Sequence, residues 1–197
     1  VIAAYDRASP GVFKPLDEMP DFLQKQLRYP RELFFLQMSV YAKYHQTQPE
    51  LFYQQSETLA FSTIGDKQVQ PYYITTAFNR CQGQEEFVLV NPMTPVNRDN
   101  LSVLAIAGTL NRQKNACVDS YDPNLTVYKF HKNRQVNGLA QVNALIDQNP
   151  EVSSMFTLWD QHGSNVVKGR MVVLPMGNSI MYVQPVYMVA DKAKIPQ

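Results

Sequence analysis

Cysteine is nearly missing from this chain, with only Cys81 and Cys117 present. A small scaffold stapled by several disulfides is therefore excluded. Each cysteine sits in a polar stretch, Asn79-Arg80-Cys81-Gln82-Gly83 and Lys114-Asn115-Ala116-Cys117. Two thiols in loop-like surroundings fit either one disulfide across the Phe87 to Leu110 segment or two separate surface thiols. Neither has a histidine or cationic cluster beside it to lower its pKa, so a catalytic thiolate lacks support. Histidine is equally sparse: His45, His131 and His162 fall in different segments without ligand spacing. Asp160-Gln161-His162 is instead read as a helix end with a favourable C-terminal charge.

Glycine is limited to eight residues, and none builds a phosphate-binding loop, a dinucleotide fingerprint or a nucleophile elbow. No cofactor is implied. Charge is low at 18% and nearly balanced at a net +1, with no basic stripe, which argues against nucleic acid as a partner. The adjacent acids Asp17-Glu18 and Glu85-Glu86 stand in polar, exposed-looking loops, not in the dry pockets that general acid–base chemistry requires. Long apolar runs are absent too. The longest, Leu101 to Leu110, is well short of the roughly 18 residues a membrane span needs, and it reads as a buried strand. Asn100-Leu101-Ser102 and Asn124-Leu125-Thr126 match the glycosylation sequon, a pattern common by chance.

What is present is a globular balance: 45% apolar residues in 197, enough for a real core. The first third is helical. Glu18 to Leu27 is a short helix, and Pro30 opens a second. There Phe34, Met38 and Tyr41 follow helical spacing, with Leu33, Val40 and Tyr44 widening the same apolar face. Thr47 and Glu50 suggest a capping box around Pro49, starting a third helix through Tyr53.

From Thr58 the period changes to two. Val69 to Phe78 and Glu86 to Val90 form a hairpin pair, and Asn91-Pro92-Met93-Thr94-Pro95 breaks the strand before Leu101 to Ala107 resumes it. After the polar stretch Asn111 to Asn124 comes a strand from Leu125 to Phe130. Leu139 to Asp147 fits either a strand or a helix. Asn149 caps and Pro150 begins a clear helix, with Val152, Met155, Phe156 and Trp159 on one face and Gly163 as its stop. Val166 to Leu174 and Ile180 to Val189 close the chain, joined by a turn at Gly177-Asn178.

The fold class is therefore α+β. A helical N-terminal subdomain (1–57) precedes a mainly β region (58–190) with an antiparallel sheet, for which barrel-like closure is one arrangement. Residues 191–197 form a tail. An internal echo, Val69-Gln70-Pro71-Tyr72-Tyr73 and Val183-Gln184-Pro185-Val186-Tyr187, reads either as two matching halves or as coincidence.

The polar cluster with most chemical interest is Asn97-Arg98-Asp99-Asn100, set between apolar strands. Arg98 offers a fork to an anionic ligand, with Asp99 holding it; the alternative is a turn with an internal salt bridge.

Several segments together resemble the large bacterial integral-membrane proteins grouped as uncharacterised protein family 0182. Among them are Phe13-Lys14-Pro15-Leu16, Leu27-Arg28-Tyr29-Pro30, Val40-Tyr41-Ala42-Lys43-Tyr44-His45, Asn97-Arg98-Asp99-Asn100-Leu101, Ile146-Asp147-Gln148-Asn149-Pro150-Glu151 and Tyr182-Val183-Gln184-Pro185-Val186-Tyr187. The match runs nearly the whole chain in consistent order. It implies membrane helices ahead of this region and a large domain outside the cytoplasmic membrane, of which this chain, opening on Val1, would be the later part. That location favours a Cys81–Cys117 disulfide. No activity is assigned to the family, so no functional residues carry over.

The expectation is thus a non-catalytic extracytoplasmic module that binds a ligand or an envelope protein, with self-association as a further option. The alternative is an envelope hydrolase or transferase whose site is assembled from residues distant in sequence.

Overall fold

Leu89 to Met93, within the strand Glu86–Pro95, pair antiparallel with Val103–Ala107, and both stretches are buried on both faces, which makes them the centre of the molecule. The computed structural model describes residues 2–24, 26–76, 85–108, 125–131, 133, 135–161, 163–176 and 179–190. Its helices are α1 (Ile2–Ala8), α2 (Asp21–Gln24), α3 (Arg31–Tyr44), α4 (Pro49–Gln54), α5 (Leu139–Gln148) and α6 (Pro150–Trp159). Its strands are β1 (Leu59–Phe61), β2 (Thr63–Ile64), β3 (Lys67–Gln68), β4 (Tyr72–Thr76), β5 (Glu86–Pro95), β6 (Val103–Ala107), β7 (Leu125–Lys129), β8 (Ser164–Lys168), β9 (Val172–Met176), β10 (Ser179–Val183) and β11 (Val186–Ala190).

The main sheet has the order β1-β5-β6-β7, and β4 pairs with β5 on the same edge as β1. All pairings are antiparallel. Among the described residues no sheet closes into a barrel, so the chain is α+β with open sheets.

Alternation along the strands assigns each face its layer. Val88, Val90, Leu104 and Ile106 join Tyr72 and Ile74 on one face, where Leu139, Met171 and Val173 cover them. Leu89, Met93, Val103, Ala105 and Ala107 point to the other face, against Phe34, Met38 and Ala42 of α3. The two alanines of β6, Ala105 and Ala107, belong to this α3-side core. Asn91 also lies on the α3 side, fully buried, and its side-chain amide has no hydrogen-bond partner among the described residues. Such a group costs about 1–3 kcal/mol.

Several expectations change here. Asn91 to Pro95 does not break the strand: β5 runs through to Pro95. Pro92 is tolerated because β4 pairs with residues 86–90 of β5 and β1 with residues 93–95. Position 92 faces the gap between them, where its carbonyl accepts from the Ser62 N–H at 3.2 Å and no strand calls for a donor. In α3, Phe34 and Met38 are buried as the spacing predicts. Leu33, Val40 and Tyr44 do not widen that face; they are exposed on the far side of the helix. The N-cap of α4 is Gln48, without a side-chain bond, in place of a Thr47–Glu50 box. Pro49 takes the first helical position and moves the cap to its immediate predecessor. The helix expected over Glu18 to Leu27 is reduced to a short turn at Leu16–Glu18 and the four residues of α2.

Leu139 to Asp147 resolves as the helix α5, with Leu139 buried and Val142 and Ile146 packed on the core. Asn149 caps α6 as expected, its Oδ1 accepting from the N–H groups of Glu151 (3.0 Å) and Val152 (3.1 Å). Gly163 has φ 90°, a conformation that suits glycine past a helix end.

The last four strands form one long ribbon. β9 pairs with β10 and β8 with β11, and between the two ladders Gly169, Arg170 and Met171 oppose Gln184 and Pro185. That extra residue is a bulge. Gly169 is required there, since a β-carbon would come within 2.6 Å of the Pro185 ring. The two echoed segments therefore have different settings: Pro71 is buried just before β4, while Pro185 sits in the bulge of a half-exposed ribbon.

Tyr72 fastens the ribbon to the sheet. Its buried hydroxyl accepts from the Val173 N–H (2.7 Å) and donates to the Val173 carbonyl (3.3 Å). Burial pushes its pKa well above the ordinary tyrosine range. Tyr72→Phe leaves two backbone groups without a partner and should cost about 1–3 kcal/mol in denaturant titrations. The raised pKa also fixes a sign. As pH rises past about 10 the unfolded chain loses this proton while the folded chain keeps it, so stability falls. The decline should be shallower in Tyr72→Phe; equal slopes would contradict this placement.

Candidate functional site

The Asn97–Asn100 cluster lies in the connection between β5 and β6. The Arg98 N–H donates to the Pro95 carbonyl at 3.1 Å, closing a turn, and Asn97 adopts φ 64°. Asparagine tolerates this left-handed region better than most residues. The turn then lies against the start of α5. The Leu101 N–H donates to the Val136 carbonyl (2.9 Å). The Gln141 side chain donates to Asn100 Oδ1 (3.3 Å) and accepts from the Gly138 N–H (3.0 Å). A β-carbon at Gly138 would overlap the Asp99 carbonyl oxygen. Asn97, Arg98 and Asp99 expose their side chains, while Asn100 is half-buried. Among the described residues Arg98 and Asp99 form no ion pair, so Asp99 does not hold the guanidinium as a fork.

The other residues that the sequence singles out are dispersed. His45 Nδ1 lies 2.9 Å from the Tyr41 carbonyl and its ring stacks on Tyr41, an arrangement that satisfies it within α3. His131 is exposed. His162, Cys81, Cys117 and the Gly177-Asn178 turn lie outside the described residues, as do the Asn111 to Asn124 stretch and the 191–197 tail. No group of three or more metal-ligating side chains is gathered among the described residues. The Tyr182 hydroxyl, raised in pKa by burial, donates to the Asn137 carbonyl and so serves the fold.

Two surface features went unread in the sequence. One is an open depression of about 560 Å³ along α6, lined by Gln148, Pro150, Ser153, Ser154, Thr157 and Leu158, with Gln161 at its end. Its lining carries no ionisable group, so it offers hydrogen bonds but neither charge nor acid–base chemistry. Beside it Lys168 pairs with Asp147 and lies over the Phe156 ring at 5.2 Å, joining the ribbon to both helices. The other feature is the outer face of α3, where Leu33, Leu36, Val40 and Tyr44 are all exposed. Tyr44 stacks on Phe52 of α4 (6.0 Å), which meets the exposed Tyr53 (5.6 Å). The apolar surface thus continues from one helix to the next. Residues 33, 36, 40 and 44 share helical spacing; the sequence reading places Leu33, Val40 and Tyr44 on the core face and does not single out Leu36.

The sequence model of the uncharacterised protein family UPF0182 matches residues 1–159. A UPF0182 protein of Methylococcus capsulatus is 46% identical over all of this chain and 23% of its own length. Those of Syntrophobacter fumaroxidans and Nitrosococcus oceani are 41% and 39% identical, again over the whole chain and 22% of their own. This chain belongs to the UPF0182 family. It spans less than a quarter of the length of these bacterial relatives. No solved structure matches it. Among the described residues no helix is long and apolar enough to cross a membrane.

The contacts at the turn separate structure from surface. Gly138→Ala forces the Asp99 backbone away from α5 and should destabilise by about 2 kcal/mol or more. Arg98→Ala, on an exposed side chain, should stay within about 0.5 kcal/mol. Denaturant midpoints of the two variants check both; a large loss from Arg98→Ala would mean the turn depends on its guanidinium.

Proposed function

We propose that this chain is a non-catalytic interaction module of an integral membrane protein, positioned on the extracytoplasmic side. The observation that carries the interaction part is the two-sided apolar character of α3. Its inner face fills the core through Phe34, Met38 and Ala42, while its outer face presents Leu33, Leu36, Val40 and Tyr44 to solvent. Contiguous apolar surface of this kind marks a place where another macromolecule sits. The membrane setting and its side rest on the resemblance to large bacterial integral-membrane proteins and on the greater length of the relatives. The Asn97–Asn100 turn contributes an exposed Arg98, which a polar or anionic group of a partner could engage.

The two faces of α3 give this reading a direct test. Leu36→Glu should change unfolding free energy by less than about 0.5 kcal/mol, whereas Phe34→Ala should cost about 3–5 kcal/mol. A Leu36→Glu variant as destabilised as Phe34→Ala would mean that the outer stripe belongs to the chain's own core. The membrane side is tested in cells with Glu151→Cys, after Cys81→Ser and Cys117→Ser. Labelling by a reagent that does not cross the cytoplasmic membrane should succeed in cells whose cytoplasmic membrane is intact. Labelling only after lysis would contradict the placement.

A further inference from the structure

The outer stripe of α3 is narrow, ordered and long. At 100° per residue, Leu33, Leu36, Val40 and Tyr44 fall within about 80° of arc, nearly opposite Phe34, Met38 and Ala42. Glu32 and Lys43 stand along one rim, and no charged residue interrupts the stripe. From Leu33 to Tyr44 it covers three turns, roughly 16 Å. A helix apolar on two opposite sides has the pattern of one packed between two layers, and among the described residues only one layer is supplied. The neighbouring N-terminal helices repeat the theme: α1, α2 and α4 contain no buried residue, and Ile2, Tyr5, Phe22 and Tyr53 are exposed.

The size of the stripe selects its occupant. The exposed surface of its four side chains is on the order of 400 Å², about half of the roughly 800 Å² per partner of a stable two-body interface, and even with the adjoining Tyr53 of α4 it falls short of that area. A free protein or a second copy held by this face alone would bind weakly, because association must first offset lost translational and rotational freedom. A segment tethered in the same polypeptide avoids most of that cost, since its effective concentration is in the millimolar range. The relatives have length to supply such a segment: the region they share with this chain is only 20–23% of their length.

We propose that the outer face of α3 is the docking site for another segment of the same, longer polypeptide. The occupant is an amphipathic helix of about three turns or more whose apolar side lies along Leu33, Leu36, Val40 and Tyr44 at a shallow crossing angle. The inference rests on the interaction reading above and names its partner.

The test uses the native-length gene product in its own cells, with a benzophenone side chain placed at Leu36 in one variant and at Val40 in another. A third variant carries it at the exposed Glu151 as a control. After irradiation, the product is sized on a denaturing gel and its cross-linked peptides are identified by mass spectrometry. The expected result is cross-linking from positions 36 and 40, without a gain in mass, to one stretch of the same polypeptide outside these 197 residues, and none from position 151. Cross-links to a different protein or to a second copy, seen as a gain in mass, overturn the inference while leaving an interaction role intact. Cross-links only within these 197 residues, only to lipid, or none at all overturn both. Using two positions guards against one probe disturbing its own surroundings.

Discussion

The pairing of β5 with β6 fixes where every other element can sit. Leu89 to Met93 and Val103 to Ala107 are hydrogen-bonded to each other in register and buried on both faces. A two-residue period sends alternate side chains to two separate cores, so both faces of the sheet must be covered by something. α3 covers one and α5 with the ribbon covers the other. Pro92 in β5 and the two alanines in β6 are local adjustments to that demand. The first faces the gap between two neighbouring strands; the alanines present small side chains on the face that α3 covers.

How much of this could be read from the sequence depended on whether the signal was local. The cap Asn149-Pro150, the strand β6 and the pairing of β4 with β5 announce themselves through residue type and period, and each is where the sequence placed it. The end of β5 is hidden in the sequence because proline reads as a stop, and the two different strands that share its edge leave no local trace. That is tertiary information. The outer stripe of α3 was visible as helical spacing, yet spacing alone cannot say which of two apolar faces meets the sheet. The turn at Asn97–Asn100 showed a similar limit. Its residue types suit a ligand site and a tight turn equally well, and only the approach of Gly138 to the Asp99 backbone reveals how it is seated.

The functional picture follows from what the fold leaves uncovered. Among the described residues the titratable groups with shifted pKa values, Tyr72 and Tyr182, hold backbone carbonyls and strands together. The surface that calls for an explanation is apolar and helical, and lies on the side of α3 away from the sheet. The region shared with the relatives is only 20–23% of their length, and the proposed cover for this face is a tethered segment, for which a small area suffices.

The dependence of the whole on one strand pair is open to a single direct measurement, amide hydrogen exchange resolved along the chain. Exchange of strands at the centre of a core requires global opening, whereas edges and surface helices open locally. The account predicts that Leu89 to Met93 and Val103 to Ala107 exchange slowest, with the inner half of α3 next and α1 and α2 fastest. Exchange of β5 and β6 at the rate of α1 would contradict it, because the sheet could then not be the element on which both cores are built.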